Sequence, residues 1–221
     1  MNVCVGMNTD GTVQSRTMLS LTRIFNEYPD DFQSRLILLD GGCADFAGSR
    51  NKLVSAFLRT NIDWLLIVDA DMVFTPDDWM LLKQSVSVES RPWVSGLYFV
   101  DGDKLRPCAM VMDAEQRAAS PIIGETDGLM RVNAAGLGFA LVHRSVFQVT
   151  QDVTSDHPWF AHGWTTERGE TMPEDYAFAA RCDAQNIPVY LNCNVRLGHI
   201  KSHVVGWAQY SEQQARGKVV A

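Results

Sequence analysis

Alternation between apolar strands and amphipathic helices is the feature of this sequence that most constrains its fold. Four short apolar runs in the first hundred residues are separated by segments whose apolar residues recur at helical spacing. We interpret the apolar runs as strands at Asn2–Met7, Arg35–Leu39, Trp64–Val68 and Trp93–Val100. Such alternation indicates a parallel α/β sheet covered by helices, with ligands at the carboxyl ends of its strands.

The second half of the sequence is less regular and predicts that the sheet continues with an antiparallel portion. We assign strands to Lys104–Met112, Leu129–Val142 and Ile187–Asn192, helices to Arg144–Gln148 and Pro173–Asn186, and a polar loop to Asp152–Thr171. The residues after His199 are polar with scattered basic side chains and are predicted to be a tail. Since no repeat or linker divides the chain, we expect a single α/β domain over residues 1–221.

Two helix starts can be assigned from local signals. Thr75–Asp78 combines a capping threonine, a proline at the first helical position and two acids in the first turn. Ser49 is the expected N-cap of an earlier helix. Arg50 and Asn51 would then lie in its first turn, where free main-chain N–H groups favour anions.

Composition excludes several classes of protein. The chain has 46% hydrophobic residues, which excludes a disordered chain, a coiled coil and a collagen-like repeat. No apolar run reaches the ~18 residues of a membrane-spanning helix. The start of the sequence lacks the pattern of a signal peptide, and the five cysteines include no closely spaced pair, so we expect a cytoplasmic protein without disulfides and without membrane partners. The formal net charge of −7 argues against broad binding to polyanions.

The acid pair Asp69 and Asp71 is the strongest local signal for chemistry. Both acids follow the apolar strand Trp64–Val68 directly, and burying such charges is costly unless something compensates them. One interpretation is that both carboxylates lie in solvent and cap a turn. The other is that they hold a hard divalent cation, which prefers oxygen ligands and bridges diphosphates. The buried strand in an alternating series favours the second interpretation.

An ordered set of motifs resembles the GT-A fold glycosyltransferases that use nucleotide-sugar donors, especially compact forms from phages and bacteria. The motifs are Asp45–Asn51, Ile62–Pro76, Val94–Phe99, Ala135–Ser145, Pro173–Phe178 and Leu197–His199. The resemblance implies one Rossmann-like GT-A domain with a mostly parallel central sheet and an antiparallel extension. It also implies a nucleotide-binding half over residues 1–100, an acceptor-side half over 101–200 and a polar tail over 201–221.

The resemblance implies a metal site and a donor site. Asp71 would bind Mn²⁺ or Mg²⁺ directly, Asp69 would contact the metal or the ribose, and His199 would be a third ligand that favours Mn²⁺. Taken alone, His199 is more simply a histidine hydrogen-bonded within a loop, but its position after Gly198 at a predicted strand end favours ligation. The nucleotide-sugar donor is expected to contact Thr9, Asp40, Arg50, Asn51, Asp69 and Lys201. For Asp40 the alternative is simple turn chemistry, and for Arg50 it is a surface arginine.

Glu174 and Asp175 follow Pro173 at a predicted helix start. Acids in a first turn stabilise the helix dipole without any catalytic role. The resemblance implies that one of them, Asp175 before Glu174, is the base that removes the proton of the acceptor hydroxyl. Because some related enzymes retain configuration without a clear base, the sequence leaves inverting and retaining reactions open.

The acceptor is the least determined part of the hypothesis. His162, Trp164 and Arg168 lie in an aromatic loop that could receive an acceptor, although such a loop is also explained by its own hydrophobic packing. The resemblance allows a hydroxylated base of phage DNA, with basic residues of the tail as phosphate contacts, while protein or small-glycan acceptors stay open. Two other hypotheses are a nucleotidyltransferase, although Asn8–Gly11 lacks the expected basic residue, and a nucleotide-binding module without activity.

Overall fold

The computed structural model of the chain describes residues 1–9, 11–32, 37–40, 45–100, 104–112, 118–125, 128–163, 171–201 and 204–218. Within these residues the helices are α1 Ser15–Glu27, α2 Phe46–Leu58, α3 Pro76–Ser85, α4 Arg144–Thr150, α5 Glu174–Ala184 and α6 Trp207–Lys218. The strands of the first half are β1 Val3–Asn8, β2 Ile37–Asp40, β3 Trp64–Asp69, β4 Met72–Val73, β5 Trp93–Leu97, β6 Phe99–Val100, β7 Arg106–Pro107 and β8 Ala109–Met112. Those of the second half are β9 Ala118–Ala119, β10 Leu129–Val132, β11 Ala134–Ala135, β12 Phe139–His143, β13 Val189–Arg196, β14 Gly198–Ile200 and β15 Val204–Val205.

A central sheet organises the described part of the chain, and its seven strands lie in the order β10-β13-β5-β12-β3-β1-β2. Strands β1, β2, β3, β5 and β13 run in one direction, since β1 pairs in parallel with β2 and β3, and β13 pairs in parallel with β5. Strand β12 runs the other way between β3 and β5, and β10 is antiparallel to β13 at the edge. The prediction of a mostly parallel α/β sheet is confirmed, and one antiparallel strand lies inside the sheet.

Both faces of this sheet are buried, which explains why its strands are continuously apolar. Along β3, Leu65 and Ile67 belong to one hydrophobic cluster, whereas Leu66 and Val68 belong to another on the opposite face. Alternate side chains of a strand point to opposite faces, so both clusters are built by the same run of residues. The buried strand therefore holds Asp69, its last residue, in a defined position.

Helix starts show how well local signals predict boundaries. Thr75 caps α3 as expected, in a reciprocal capping box with Asp78. The prediction of Ser49 as an N-cap is wrong, because Asp45 caps α2 by accepting a hydrogen bond from the main-chain nitrogen of Ala47 at 3.0 Å. Arg50 therefore lies beyond the first turn of α2, away from its free N–H groups.

A small three-stranded sheet, β15-β14-β4, brings the segment after β3 to a late part of the chain. Within this sheet His199 is the register partner of Met72, the residue that follows Asp71 in the sequence. The main-chain nitrogen of Ile200 also donates to the main-chain oxygen of Asp71 at 2.8 Å. This pairing places residues 71 and 199 side by side.

Helix α6 is a second departure from the sequence pattern, which predicted only a polar tail. Its Tyr210 is buried and its ring stacks on Phe99, with ring centroids 4.4 Å apart. Arg196 lies over the ring of Trp207 at 3.9 Å. A few large aromatic side chains thus attach the mostly polar helix α6 to the rest of the fold. Its apolar residues recur with too weak a periodicity for the helix to be predicted from the sequence. Within the described residues, no helix has the length and apolar character needed to cross a bilayer.

Candidate functional site

The carboxyl ends of the neighbouring strands β1, β2 and β3 form the floor of the site. Asn8 is in register with Asp69 on one side and with Asp40 on the other. The side chain of Asp40 lies outside the described part of the structure. A cavity of about 400 Å³ opens above these strand ends, and we call it the donor-side cavity. It is lined by Asn8, Thr9, Thr12, Gln14, Phe46, Asp69, Ala70, Asp71, Tyr98, Val100, Cys108, His199, Ile200 and Lys201.

Asp71 is held between two nitrogen groups at the wall of this cavity. Its Oδ2 lies 3.2 Å from Nε2 of His199 and accepts a hydrogen bond from Nζ of Lys201 at 3.0 Å. Burial raises the pKa of Asp71, but hydrogen bonds and charge from His199 and Lys201 outweigh that effect, so its pKa lies below the ordinary value. The carboxylate is therefore ionised over the whole neutral range.

His199 has one ring nitrogen fixed by the protein. Its Nδ1 lies 2.8 Å from the main-chain oxygen of Phe99, and because a carbonyl only accepts, Nδ1 carries the hydrogen. With a second hydrogen on Nε2 the ring donates to Asp71, and without that hydrogen Nε2 presents a lone pair on the side of Asp71. A main-chain oxygen that orients the ring in this way is usual for metal-binding histidines.

Two of the three predicted metal contacts, Asp71 and His199, lie close enough together to bind one divalent cation. Two ligands at right angles on one octahedral cation lie about 3 Å apart, and the observed separation of Oδ2 and Nε2 is 3.2 Å. Asp69, which was expected to contact the metal or the ribose, turns its carboxylate toward Arg50 instead. Accordingly, no group of three or more His, Cys, Asp or Glu side chains within the described ranges is arranged to hold a metal ion.

Arg50 links the two acidic motifs of the chain. Its Nη2 lies 3.3 Å from Oδ1 of Asp69, and its Nη1 donates to Oε1 of Glu174. Burial lowers the pKa of Arg50, but the charges of Asp69, Asp175 and Glu174 outweigh that effect and raise it. The guanidinium is only 5% exposed and is absent from the lining of the donor-side cavity. The structure thus gives Arg50 carboxylate partners where the sequence suggested a phosphate or base.

Asn51 has an equally definite set of partners. Its Oδ1 accepts hydrogen bonds from the main-chain nitrogens of Trp159 and Phe160, at 2.9 and 3.1 Å. Its Nδ2 donates to the main-chain oxygens of Ala47 and Phe160, at 2.8 and 2.6 Å. The side chain fastens the loop before α5 to α2, and it does not line the donor-side cavity.

Asp175 is the most strongly perturbed carboxylic acid near the site. Its pKa is raised to about 6, chiefly by burial and also by the charge of Glu174, while Arg50 opposes the rise. The side chain is 8% exposed and lines a second cavity of about 530 Å³, which we call the acceptor-side cavity. An acid with this pKa changes protonation state close to neutral pH, as a general base requires.

Val100 and Cys108 line both cavities and therefore form the wall that the two share. Tyr98 is hydrogen-bonded to Cys108, and its hydroxyl also accepts from the main-chain nitrogen of Gly138 at 3.2 Å. Gly136 must be glycine, because a Cβ there would overlap the hydroxyl of Tyr98 and the sulfur of Cys108. Gly136 and Gly138 thus make room for the aromatic ring of Tyr98.

The predicted acceptor loop is only partly described. Trp164 and Arg168 lie outside the described residues. His162 is exposed, with Nε2 3.9 Å from Oδ1 of Asp45, and it lines neither the donor-side nor the acceptor-side cavity. Trp159 and Phe160 are buried, and Phe160 packs on Phe178 with ring centroids 4.6 Å apart. For these two aromatic residues the alternative of a loop held by its own packing is confirmed.

Comparison with known proteins gives a fold and no family. No protein-family model matches the sequence, and no curated protein sequence matches it. Among solved structures, A197 from STIV is similar with a TM-score of 0.58 and 19% identity, covering 91% of this chain and 86% of that one. GalNAc-T7 in complex with UDP, GalNAc and Mn²⁺ is similar with a TM-score of 0.54 and 10% identity, covering 90% of this chain and 44% of that one. The fold is GT-A-like.

Sequence reasoning missed three residues at the cavities of this GT-A-like fold. Asn8 is 2% exposed, and neither atom of its amide has a hydrogen-bond partner among the described residues, although it lines the donor-side cavity. Phe46, in contrast, is 53% exposed at the rim of the same cavity. Arg106 lines the acceptor-side cavity. The sequence shows Asn8 in a polar segment at a strand end and Phe46 in one of the ordered motifs. Nothing near either residue indicated that its own side chain lines a cavity.

Proposed function

We propose that the protein is a metal-dependent glycosyltransferase that moves a sugar from a nucleotide-sugar donor to an acceptor hydroxyl. The observation that carries the proposal is the shared wall between two cavities, one lined by Asp71 and His199 and the other by Asp175. The shared lining residues make the two cavities adjacent, and a transferase needs adjacent sites because donor and acceptor must meet while each keeps its own binding groups. The GT-A-like fold supports it, since GalNAc-T7, with the same fold, binds UDP, GalNAc and Mn²⁺.

The donor would occupy the donor-side cavity. The buried amide of Asn8 has no protein partner within the described residues, and it offers one acceptor and two donors to the base or ribose. The exposed ring of Phe46 provides a surface on which a nucleobase can stack. The proposed donor contacts also include Thr9, Lys201 and Asp40, and Asp40 keeps its predicted role at the end of β2.

Asp71 and His199 would hold the divalent cation, which when bound would neutralise charge on the departing diphosphate. Asp69 is directed to Arg50 and would contact the ribose or keep the arginine in place. Lys201 adds a second positive charge beside Asp71 and is exposed enough to reach a phosphate. The nitrogen and oxygen donors of His199 and Asp71 favour Mn²⁺ over Mg²⁺.

Asp175 would act as the general base. Its carboxylate accepts the proton of the acceptor hydroxyl as that oxygen attacks the anomeric carbon, which implies inversion of configuration. Glu174 cannot share this role easily, because it is paired with Arg50. That pairing also fixes the first turn of α5, so Glu174 is a positioning residue in this scheme.

A hydroxylated DNA base is one acceptor to be tested, but the described residues offer it little. Lys201, one of the expected phosphate contacts, is paired with Asp71. Trp164, Arg168 and His203 lie outside the described residues, as do the side chains of Arg216 and Lys218. The net charge of −7 disfavours a polyanion.

The test is product analysis with the purified protein, a panel of nucleotide sugars and Mn²⁺. A glycosyltransferase slowly releases nucleoside diphosphate and free sugar even without an acceptor, and Asp71→Asn should abolish this release. A nucleotidyltransferase would instead form a nucleotide sugar and pyrophosphate from a nucleoside triphosphate and a sugar phosphate. Binding of nucleotide sugars with no turnover in either assay would favour a binding module and overturn the proposal.

A further inference from the structure

The acceptor-side cavity has walls of small apolar side chains and one aromatic ring. It is formed by β6 to β9 and the start of α5, and Pro107, Ala109, Ala118 and Ala119 are among its lining residues. Tyr176 adds a partly buried ring next to Asp175. Pockets of 300–1,000 Å³ with mostly apolar walls and a few polar groups are typical of small-molecule sites, and this one measures about 530 Å³.

Arg106 is the one cationic side chain among the described residues that line this cavity. It is exposed, and no hydrogen bond or ion pair to its guanidinium is found within the described part of the chain. Burial raises the pKa of Tyr176, and the positive charge of Arg106 opposes this rise only slightly, which is consistent with a guanidinium near the phenol that borders the cavity. An arginine with free donors beside an apolar wall is suited to a carboxylate or a phosphate, which it binds with two parallel hydrogen bonds.

We infer that the acceptor is a small hydroxyl compound with an apolar, ring-sized body and a single anionic group. The anionic group would bind Arg106, the body would lie against the alanines and Tyr176, and the hydroxyl would reach Asp175. Arg106 is the one cation among the described lining residues, and one cation is too few for a nucleic acid strand, whose affinity depends on several phosphate contacts. This inference rests on the proposed function, and it names a class of acceptor, which the fold alone does not determine.

The chemistry balances with these groups alone. The acceptor oxygen forms a bond to the anomeric carbon of the donor, while the bond from that carbon to the phosphate oxygen breaks. The hydroxyl proton passes to Asp175, and the electron pair of the broken bond leaves with the nucleoside diphosphate. The anionic group of the acceptor is unchanged, because its only function is to orient the molecule.

Binding of three matched probes tests the inference without turnover. The probes are 4-(hydroxymethyl)benzoate, 4-(hydroxymethyl)phenyl phosphate and the neutral 4-(hydroxymethyl)benzamide, and Kd is measured by ligand-observed NMR with the wild-type protein. We expect at least one anionic probe to bind tenfold or more tightly than the amide, since a charge-assisted pair is lost in the amide. The better of the two anions distinguishes a carboxylate from a phosphate acceptor.

Variants connect the preference to Arg106. Arg106→Gln should remove the preference for the anion and Arg106→Lys should keep part of it, whereas Arg23→Gln, on the exposed side of α1, should leave it intact. Equal binding of anionic and neutral probes, no measurable binding of any probe, or a preference that survives Arg106→Gln would overturn the inference. Donor hydrolysis is assayed separately, so an Arg106-dependent preference in a protein that never hydrolyses a donor would reject the proposed function and leave the cavity's selectivity standing.

Discussion

Arg50 and Glu174 form an ion pair across 124 positions of the sequence. Arg50 contacts Asp69 at the same time, so one buried guanidinium joins the acid at the end of β3 to the acid at the start of α5. These acids belong to the two motifs that we assign to the donor and to the base. Because a buried charge is costly without partners, each motif depends on the other for its position.

Removing the guanidinium should therefore disturb both motifs. We expect Arg50→Met to lower the free energy of unfolding by about 3–5 kcal/mol, because two carboxylates lose their buried partner. Urea denaturation measures the change, and Arg59→Gln on the exposed end of α2 is the control. In any Arg50→Met protein that folds, the pKa of Asp175 should rise, because Arg50 normally opposes the effect of burial. A variant as stable as the wild type would contradict the interpretation.

Asp175→Asn should abolish transfer and stabilise the protein. A lost general base costs ~10²–10⁴-fold in rate, which a turnover assay measures, while donor binding stays unchanged. Because the folded-state pKa is raised to about 6, the folded protein favours the neutral acid, and stability falls as pH rises from about 4 to 6. The penalty at pH 7 is about 3 kcal/mol, and the asparagine variant should be free of it.

Activity should follow the same group. With Asp175 as base, the rate should rise with pH through about 6 in the wild type. Glu174→Gln tests the alternative, because it disturbs the pair with Arg50 without removing the carboxylate of Asp175. If Asp175→Asn keeps near-wild-type turnover while Glu174→Gln loses it, the roles of the two acids are reversed. If both variants keep turnover, a retaining reaction without a base is the better account.

Metal-dependent nucleotide binding should require Asp71 and His199. We expect Asp71→Asn and His199→Ala each to weaken the Mn²⁺-dependent binding of nucleoside diphosphates at least tenfold, since each removes one of the two adjacent ligand groups. Calorimetry with and without Mn²⁺ measures the effect, and Asp77→Asn, an exposed acid on α3, is the matched control. Wild-type binding by the Asp71→Asn protein would reject the proposed metal site.

Gly136→Ala should damage the wall between the cavities. The added Cβ would overlap the hydroxyl of Tyr98 and the sulfur of Cys108, and such overpacking costs about 1–3 kcal/mol. Nucleotide binding should weaken as well, because Tyr98 lines the donor-side cavity. Gly128→Ala is the control, since its nearest neighbour would be Nδ2 of Asn194 at 3.9 Å. Equal melting temperatures of the two variants would contradict this expectation.

Asp31 provides a prediction about the fold alone. Burial raises its pKa, but hydrogen bonds from Lys83, the amino terminus and Trp79 outweigh that effect and place the pKa below the ordinary value of an aspartate. The stabilisation is therefore present above pH 4 and lost as pH falls through the folded-state pKa. We expect Asp31→Asn to cost about 3 kcal/mol at pH 7, measured by urea denaturation, and the exposed neighbour Asp30→Asn to cost little. A difference between the two variants that stays unchanged at pH 2 would refute this account.

Local signals in the sequence predicted the α/β alternation, the capped start of α3 and the start of α5 after Pro173. Each of these depends on residues within a few positions of one another. The pairing of Arg50 with Glu174 and of Asn51 with Trp159 and Phe160 could not be predicted, because these partners lie more than a hundred positions away. The acceptor-side cavity was missed for a related reason, since β6 to β9 are too short for a period-two pattern to identify them.

The stacking of Tyr210 on Phe99 bears on when the site can form during synthesis. Phe99 contributes the main-chain oxygen that orients His199, and its ring is covered by a residue of the last described helix. A ribosome-bound chain that has exposed β1 to β14 would thus contain both proposed metal ligands, Asp71 and His199, and still lack the support behind His199. On the proposed function, the ability to bind metal and nucleotide would then be acquired late, after α6 has emerged, and an unfinished chain would not engage the proposed donor.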